Sequence, residues 1–215
     1  ESRSDYSYVN LADETLGVAW PIPLAQAIVS AADAAHPRLA EARPVPPKRT
    51  VIVGAGGQLG RALQRLLPDA LLLDLPSFDV TDPAAVAGVN WSGVDTVINA
   101  AAYTAVDAAE TPEGRVACWA ANVTGVAALC RVATEHRITL VHISSDYVFD
   151  GTREEHTEDE PFSPLGVYGQ TKAAGDALVS QVPRHYLVRT SWVIGDGRNF
   201  VRTMAELAGT GVSPT

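Results

Sequence analysis

The segment Thr50-Val51-Ile52-Val53-Gly54-Ala55-Gly56-Gly57-Gln58-Leu59-Gly60 constrains this chain more than any other. A β-branched run leads straight into glycines at 54, 57 and 60, and Arg61-Ala62-Leu63 continues with helix-forming residues. A strand that turns directly into a helix returns to its sheet by a crossover, so the next strand lies parallel to it. The glycines have separate tasks: Gly54 permits the tight turn, Gly57 lets the backbone approach a pyrophosphate, and Gly60 allows close helix–strand packing. Gln58 and Leu59 stand at the helix N-terminus, where free N–H groups and a partial positive charge favour phosphate.

From Lys48 onward short apolar runs alternate with helical segments. Strands are predicted near Thr50–Val53, Leu71–Leu73, Thr96–Asn99, Leu140–Ser144 and Tyr186–Arg189. Helices are predicted near Gln58–Leu67, Pro83–Val86, Pro112–His136, Tyr168–Val179 and Phe200–Leu207. Continuous runs such as Val51-Ile52-Val53 and Leu71-Leu72-Leu73 suit a parallel sheet covered on both faces. The fold class is therefore α/β, a doubly wound parallel sheet of Rossmann type. The first 47 residues differ: prolines punctuate them, one helix is expected from about Leu24 to Ala35, and Ala42–Pro47 reads as a stiff linker. The expected organisation is an irregular extension over residues 1–47 and one domain over 48–215.

Composition narrows the function. The 215 residues carry a net charge of −9, with a pI near 4.9. No basic patch stands out for a nucleic-acid partner. No apolar run approaches the roughly 18–20 residues that span a bilayer, and the polar N-terminus lacks a signal-peptide core. Cys118 and Cys130 fall in one predicted helix, about 18 Å apart by helical rise, too far to bridge. Free thiols fit a cytoplasmic protein. The histidines at 36, 136, 142, 156 and 185 match no metal spacing, and Ala62 offers no metal-bridging carboxylate, so no metal is expected.

Other signals converge on the ends of the strands. Asp74 ends the second strand, where an acid often binds adenosine ribose hydroxyls, and Asp79-Val80 follows near the adenine position. Asp74 favours NADH, whereas Arg61 and Arg65 could meet the 2′-phosphate of NADPH, so both cofactors stay open. After the third strand, Asn99–Asp107 contains Ala102, Tyr103 and Thr104, a stretch able to lie along a dinucleotide. The fourth strand closes in Ser144-Ser145-Asp146, placing hydroxyls where open α/β sheets bind ligands. Tyr168 and Lys172 share one helical face. An ammonium there is expected to lower the tyrosine pKa for proton exchange with a carbonyl or alcohol.

Ser145, Tyr168 and Lys172 resemble the Ser–Tyr–Lys trio of the short-chain dehydrogenases/reductases. With Gly54–Gly60, Asn99–Asp107, Ser144–Gly151, Pro164–Lys172 and Arg189–Val193, residues 48–215 resemble the dTDP-4-dehydrorhamnose reductases, an extended branch of that superfamily. The resemblance implies NADPH- or NADH-dependent reduction of the C4 ketone of a dTDP-6-deoxy-4-keto-L-hexose to dTDP-L-rhamnose. Tyr168 would donate the proton, Lys172 would hold the nicotinamide ribose, and Ser145, where the family often has Thr, would bond the ketone oxygen. Asp146 and Trp192 would line the sugar pocket. Gly57, Gln58, Leu59, Asp74, Asp79, Val80, Ala102, Tyr103 and Thr104 would hold the dinucleotide. Tyr147 and Phe149 rank as wall or core residues.

Two departures qualify the resemblance. The family's chains continue past the point where this one stops, so the substrate domain is expected to be largely missing. In addition, Asn10–Pro21 and Ile28–Asp33 resemble the end of dTDP-4-dehydrorhamnose 3,5-epimerase, which implies a fragment of an epimerase–reductase fusion. Partners expected are a dTDP-sugar and no nucleic acid or membrane; a homodimer is compatible. Two other readings stay open on the same fold: a nucleotide-sugar epimerase or dehydratase that regenerates bound NAD, and a non-catalytic regulatory subunit.

Overall fold

The computed structural model describes residues 7–42, 48–197 and 199–210. Most of the expected linker and the Gly211–Thr215 ending lie outside the described residues. Contacts divide the chain into two compact units, Glu1–Pro47 and Lys48–Thr215.

The first unit has little regular structure and is tied by polar side chains. Buried Asp13 accepts from Thr15 N at 2.9 Å, Thr15 Oγ1 at 2.6 Å and Leu39 N at 2.6 Å. Asn10 donates from Nδ2 to the carbonyls of Ala34 and His36. The helix expected over Leu24–Ala35 is broken. A 3-10 turn, Leu24–Gln26, ends at extended Ala27, and helix α1, Ala31–Ala34, begins only after Ser30. β-Branched Ile28 and Val29 disfavour helix, and Ser30 caps the later start by accepting from Asp33 N.

The second unit is a five-stranded sheet in the order β2-β1-β3-β4-β5, every pairing parallel. The strands are β1 (Arg49–Val53), β2 (Leu71–Leu73), β3 (Val94–Asn99), β4 (Thr139–Ser145) and β5 (His185–Thr190). Helices α2 (Gln58–Leu66), α3 (Pro83–Gly88), α6 (Val167–Val179) and α7 (Phe200–Thr210) alternate with them. Between β3 and β4 runs a long helix in three parts: α4 (Pro112–Trp119), a π-helical segment (Ala120–Gly125) and α5 (Val126–Glu135). The π segment was not foreseen within the single helix predicted there. The main core sets Val51, Val53, Val97 and Leu140 against Val86, Leu129, Val132 and Val179.

Two further expectations are corrected. Leu71 and Leu72 are 36% and 44% exposed rather than buried, because β2 is an edge strand paired only with β1. The helix over Pro112–Glu135 is long and apolar enough to cross a bilayer by length and composition. Its apolar side chains Val126, Leu129 and Val132 are buried in the core, so packing on the sheet accounts for that composition. The strand order reverses between β1 and β3, and the carboxyl ends beside that switch point are where a doubly wound sheet presents its ligand site.

Candidate active site

The glycine turn is built as its spacing predicts. Gly54 has φ +78°, and a Cβ on it would sit 2.5 Å from Ala101 N, so only glycine fits between the first turn and the end of β3. Gly60 is buried against the carbonyls of Gly54 and Ala55; its role is the close approach of α2 to β1. Asp74 Oδ2 accepts from Gly56 N, and Asp74 Oδ1 from Leu75 N at 2.8 Å. Arg61 donates to the Gly56 carbonyl, and Arg65 pairs with Asp196 at 3.1 Å.

The small-residue stretch after β3 is held from beneath by Asn122 in the π segment. Its Oδ1 accepts from Tyr103 N at 2.9 Å and its Nδ2 donates to Tyr103 O at 3.2 Å. The same amide donates to Thr171 Oγ1 on α6 at 3.0 Å. Asn122 is 1% exposed, so the widened helical turn serves to aim one amide at two elements. Nothing in the local sequence pattern had singled it out.

Ser145 ends β4, buried, with its Oγ 3.1 Å from Asp146 Oδ1 and accepting from Tyr147 N at 3.2 Å. Tyr168 begins α6 and packs edge-on to Tyr147, ring centroids 5.6 Å apart. Glu110 Oε1 accepts from Val167 N at 2.8 Å and so caps α6 where Gly166 has no side chain to do it. Lys172 follows one turn later but is 1% exposed and donates to the Ile143 carbonyl at 2.7 Å.

The electrostatics correct the expectation for Tyr168. Burial pushes the phenol above its ordinary value of 10, the Ser145 hydroxyl opposes this, and Cys118, Asp146 and Tyr147 add to the rise. Lys172 is not among the leading causes of that shift, and its Nζ donates to the Ile143 carbonyl. Burial brings Lys172 itself down to about 8, against the opposing pull of Asp176 and Cys118.

Beneath the trio lies a polar layer that the sequence pattern did not reveal. His142 Nδ1 is 3.0 Å from Asn99 Nδ2, and its Nε2 is 3.5 Å from Lys172 Nζ. Asp176, fully buried, pairs with Arg189 Nε at 3.1 Å. Burial raises the Asp176 pKa, opposed by Ser144, Arg189 and Lys172. Ser144 Oγ and Asp176 Oδ1 stay outside hydrogen-bond geometry, though the hydroxyl is near enough to favour the carboxylate.

Two adjoining clefts gather most of the predicted site. The larger, about 670 Å³, takes in Gly57, Gln58, Leu59, Ala102, Thr104, Ser145, Asp146, Tyr168, Lys172 and Trp192. The smaller, about 230 Å³, takes in Gly54, Gly57, Asp74, Asp79, Val80 and Ala102. Gly60 and Tyr103 line neither; the Tyr103 ring packs beside Ala109, Cys118 and Val167. Trp192 is 61% exposed and stacks at a tilt on Phe200.

A doubly wound parallel sheet with a glycine loop at its switch point, and Ser145, Tyr168 and Lys172 lining the same cleft, defines the class, a Rossmann-type fold of the short-chain dehydrogenase/reductase kind. Residues 48–213 match the family described as the RmlD substrate binding domain, and the chain belongs to that family, the dTDP-4-dehydrorhamnose reductases. It is 42% identical over 169 residues to dTDP-4-dehydrorhamnose reductase of Aggregatibacter actinomycetemcomitans, covering 74% of this chain and 57% of that protein. It is also 42% identical over 166 residues to a probable dTDP-4,6-dihydroxy-2-methyloxan-3-one 4-ketoreductase of Streptomyces antibioticus, covering 74% and 56%. The crystal structure of the Bacillus anthracis reductase in complex with NADP superimposes with a TM-score of 0.71 at 35% identity, covering 77% of this chain and 61% of that one. The chain thus spans less than two thirds of the length of these relatives.

Proposed function

We propose that this chain carries the cofactor half and the proton-delivery end of an NADPH- or NADH-dependent reductase acting on the C4 ketone of a dTDP-6-deoxy-4-keto-L-hexose, in the cytoplasm. The observation that carries the reading is one cleft lined by the glycine loop at Gly57–Leu59 together with Ser145, Tyr168 and Lys172. The residues fit a dinucleotide: the turn at Gly54 has no room for a side chain, and Asp74 stands at the end of β2 beside it. Gly54, Gly57, Gln58 and Leu59 would hold the pyrophosphate, Asp74, Asp79 and Val80 the adenosine end, and Ala102, Thr104 and Lys172 the nicotinamide end. The reduced nicotinamide supplies the hydride. Tyr168 supplies the proton from Oη, and burial keeps that phenol protonated at neutral pH, which is the state a donor needs. Ser145 would donate to the same oxygen, while Asp146 and exposed Trp192 stand where the sugar would enter. The resemblance of Asn10–Pro21 and Ile28–Asp33 to the end of a 3,5-epimerase supports reading residues 1–47 as the closing segment of such an enzyme. An upstream reading frame without a β-barrel would rule that out.

The test uses the complete reductase with the keto-sugar and each cofactor, following loss of absorbance from the reduced nicotinamide. Tyr168→Phe is expected to lower turnover by about 10²–10⁴-fold, with dinucleotide affinity retained. Retained turnover would remove Tyr168 from the role. Tightly held NAD with no net oxidation of added NADH would replace the reductase reading with an epimerase or dehydratase.

A further inference from the structure

Resting on the reading of Lys172 as part of the proton-delivery site, we propose that His142, oriented by Asn99, is a positioning residue that sets the charge of Lys172. Ala101 N–H donates to Asn99 Oδ1 at 3.2 Å, which fixes the amide and turns Nδ2 toward His142. Asn99 Nδ2 is a donor, so His142 Nδ1, 3.0 Å away, accepts, and the ring proton sits on Nε2. The opposite tautomer would set an N–H of His142 against the Asn99 amine. Turning the amide over would set that amine against Ala101 N–H. Burial, then Lys172, holds His142 neutral by depressing its pKa to about 3.

His142 Nε2–H therefore faces Lys172 Nζ at 3.5 Å. An ammonium there meets a donor with a donor. A neutral amine accepts from His142 while still donating to Ile143 O at 2.7 Å. The other groups around Nζ act differently: Asp176, one turn along α6, and Cys118 on α4 favour the ammonium. Arg189 on β5 is drawn to Asp176 at 3.1 Å and weakens that carboxylate's pull. Tyr168, Ser145 and Asp146 share the cleft with Lys172 on its open side. Burial is the largest cause of the Lys172 pKa near 8, and the His142 Nε2–H adds a donor that favours the amine over the ammonium.

The chain has only two lysines, Lys48 and Lys172, and Lys48 is exposed, with its side chain 77% accessible. Lysine labelled with carbon-13 at Cε and nitrogen-15 at Nζ therefore gives two signals that can be titrated in this chain without substrate. In His142→Phe, which keeps an apolar ring in place, the Lys172 midpoint is expected to rise by about one pH unit while Lys48 does not move. A midpoint that stays or falls means that burial alone sets the charge, and the proposal fails. Should that variant not fold, imidazole nitrogen-15 shifts in the unaltered chain decide. A protonated Nε2 and a bare Nδ1 in His142 support the proposal, and the reverse tautomer overturns it. Neither readout needs turnover, so a failed reductase assay leaves both standing, and a failed titration leaves the role of Tyr168 untouched.

Discussion

At Lys172 stability and chemistry oppose each other. Its pKa falls from 10.5 unfolded to about 8 folded, chiefly through burial. Between those values the folded state binds fewer protons than the unfolded one, so stability rises with pH from about 8 to 10.5 and the full cost is present below 8. A shift of that size corresponds to ~3 kcal/mol. Asp176 has the opposite sign. Its folded pKa is raised by burial, so its contribution is complete below its ordinary value of 3.8 and is lost as pH rises through the raised one. Lys172→Met, similar in length and uncharged, is expected to gain about 1–3 kcal/mol at pH 7 and to lose that advantage by pH 10. Urea unfolding at both pH values checks it, and a variant less stable at pH 7 contradicts it. The Tyr168–Lys172 spacing was legible from five consecutive positions. His142 was not, because its partners Asn99 and Lys172 lie 43 and 30 residues away and meet only once β3, β4 and α6 are packed.

Strands and helices were read well wherever one periodicity ruled, as in Val51-Ile52-Val53 or along α6. Reading failed where side-chain hydrogen bonds outweighed pattern, as at Ser30, which starts a new turn, and at Asn122, whose amide rewards a widened one. The π segment also determines how α6 can approach. A Cβ on Gly175 would lie 2.6 Å from Asn122 O. Alanine in a helix interior normally gains about 1 kcal/mol over glycine. Here overpacking against a backbone carbonyl costs about 1–3 kcal/mol and decides the sign. Gly175→Ala is expected to lower stability by up to about 2 kcal/mol. It should also weaken dinucleotide binding, because Asn122 carries the Tyr103 backbone. Thermal unfolding and cofactor fluorescence measure the two effects; a stabilised variant would mean that α6 shifts freely.

For the molecule as a whole, the hydrophobic clusters among the described residues draw only on the Lys48–Thr215 unit, from Val51 to Leu187. The smaller unit relies instead on Asn10 and Asp13, and it leaves Trp20, Ile22 and Ile28 exposed. So short a segment buries a smaller fraction of its surface than the larger unit does. The glycine loop, Ser145, Tyr168 and Lys172 all belong to the larger unit as well. Residues 48–215 alone are therefore expected to unfold within about 3 °C of the full chain, a shift that corresponds to about 1 kcal/mol for a domain of this length. They should also bind NADPH or NADH with unchanged affinity. Calorimetry and fluorescence titration of the two forms test this together. A midpoint lowered by about 10 °C would contradict this. Loss of binding at an unchanged midpoint would contradict it as well.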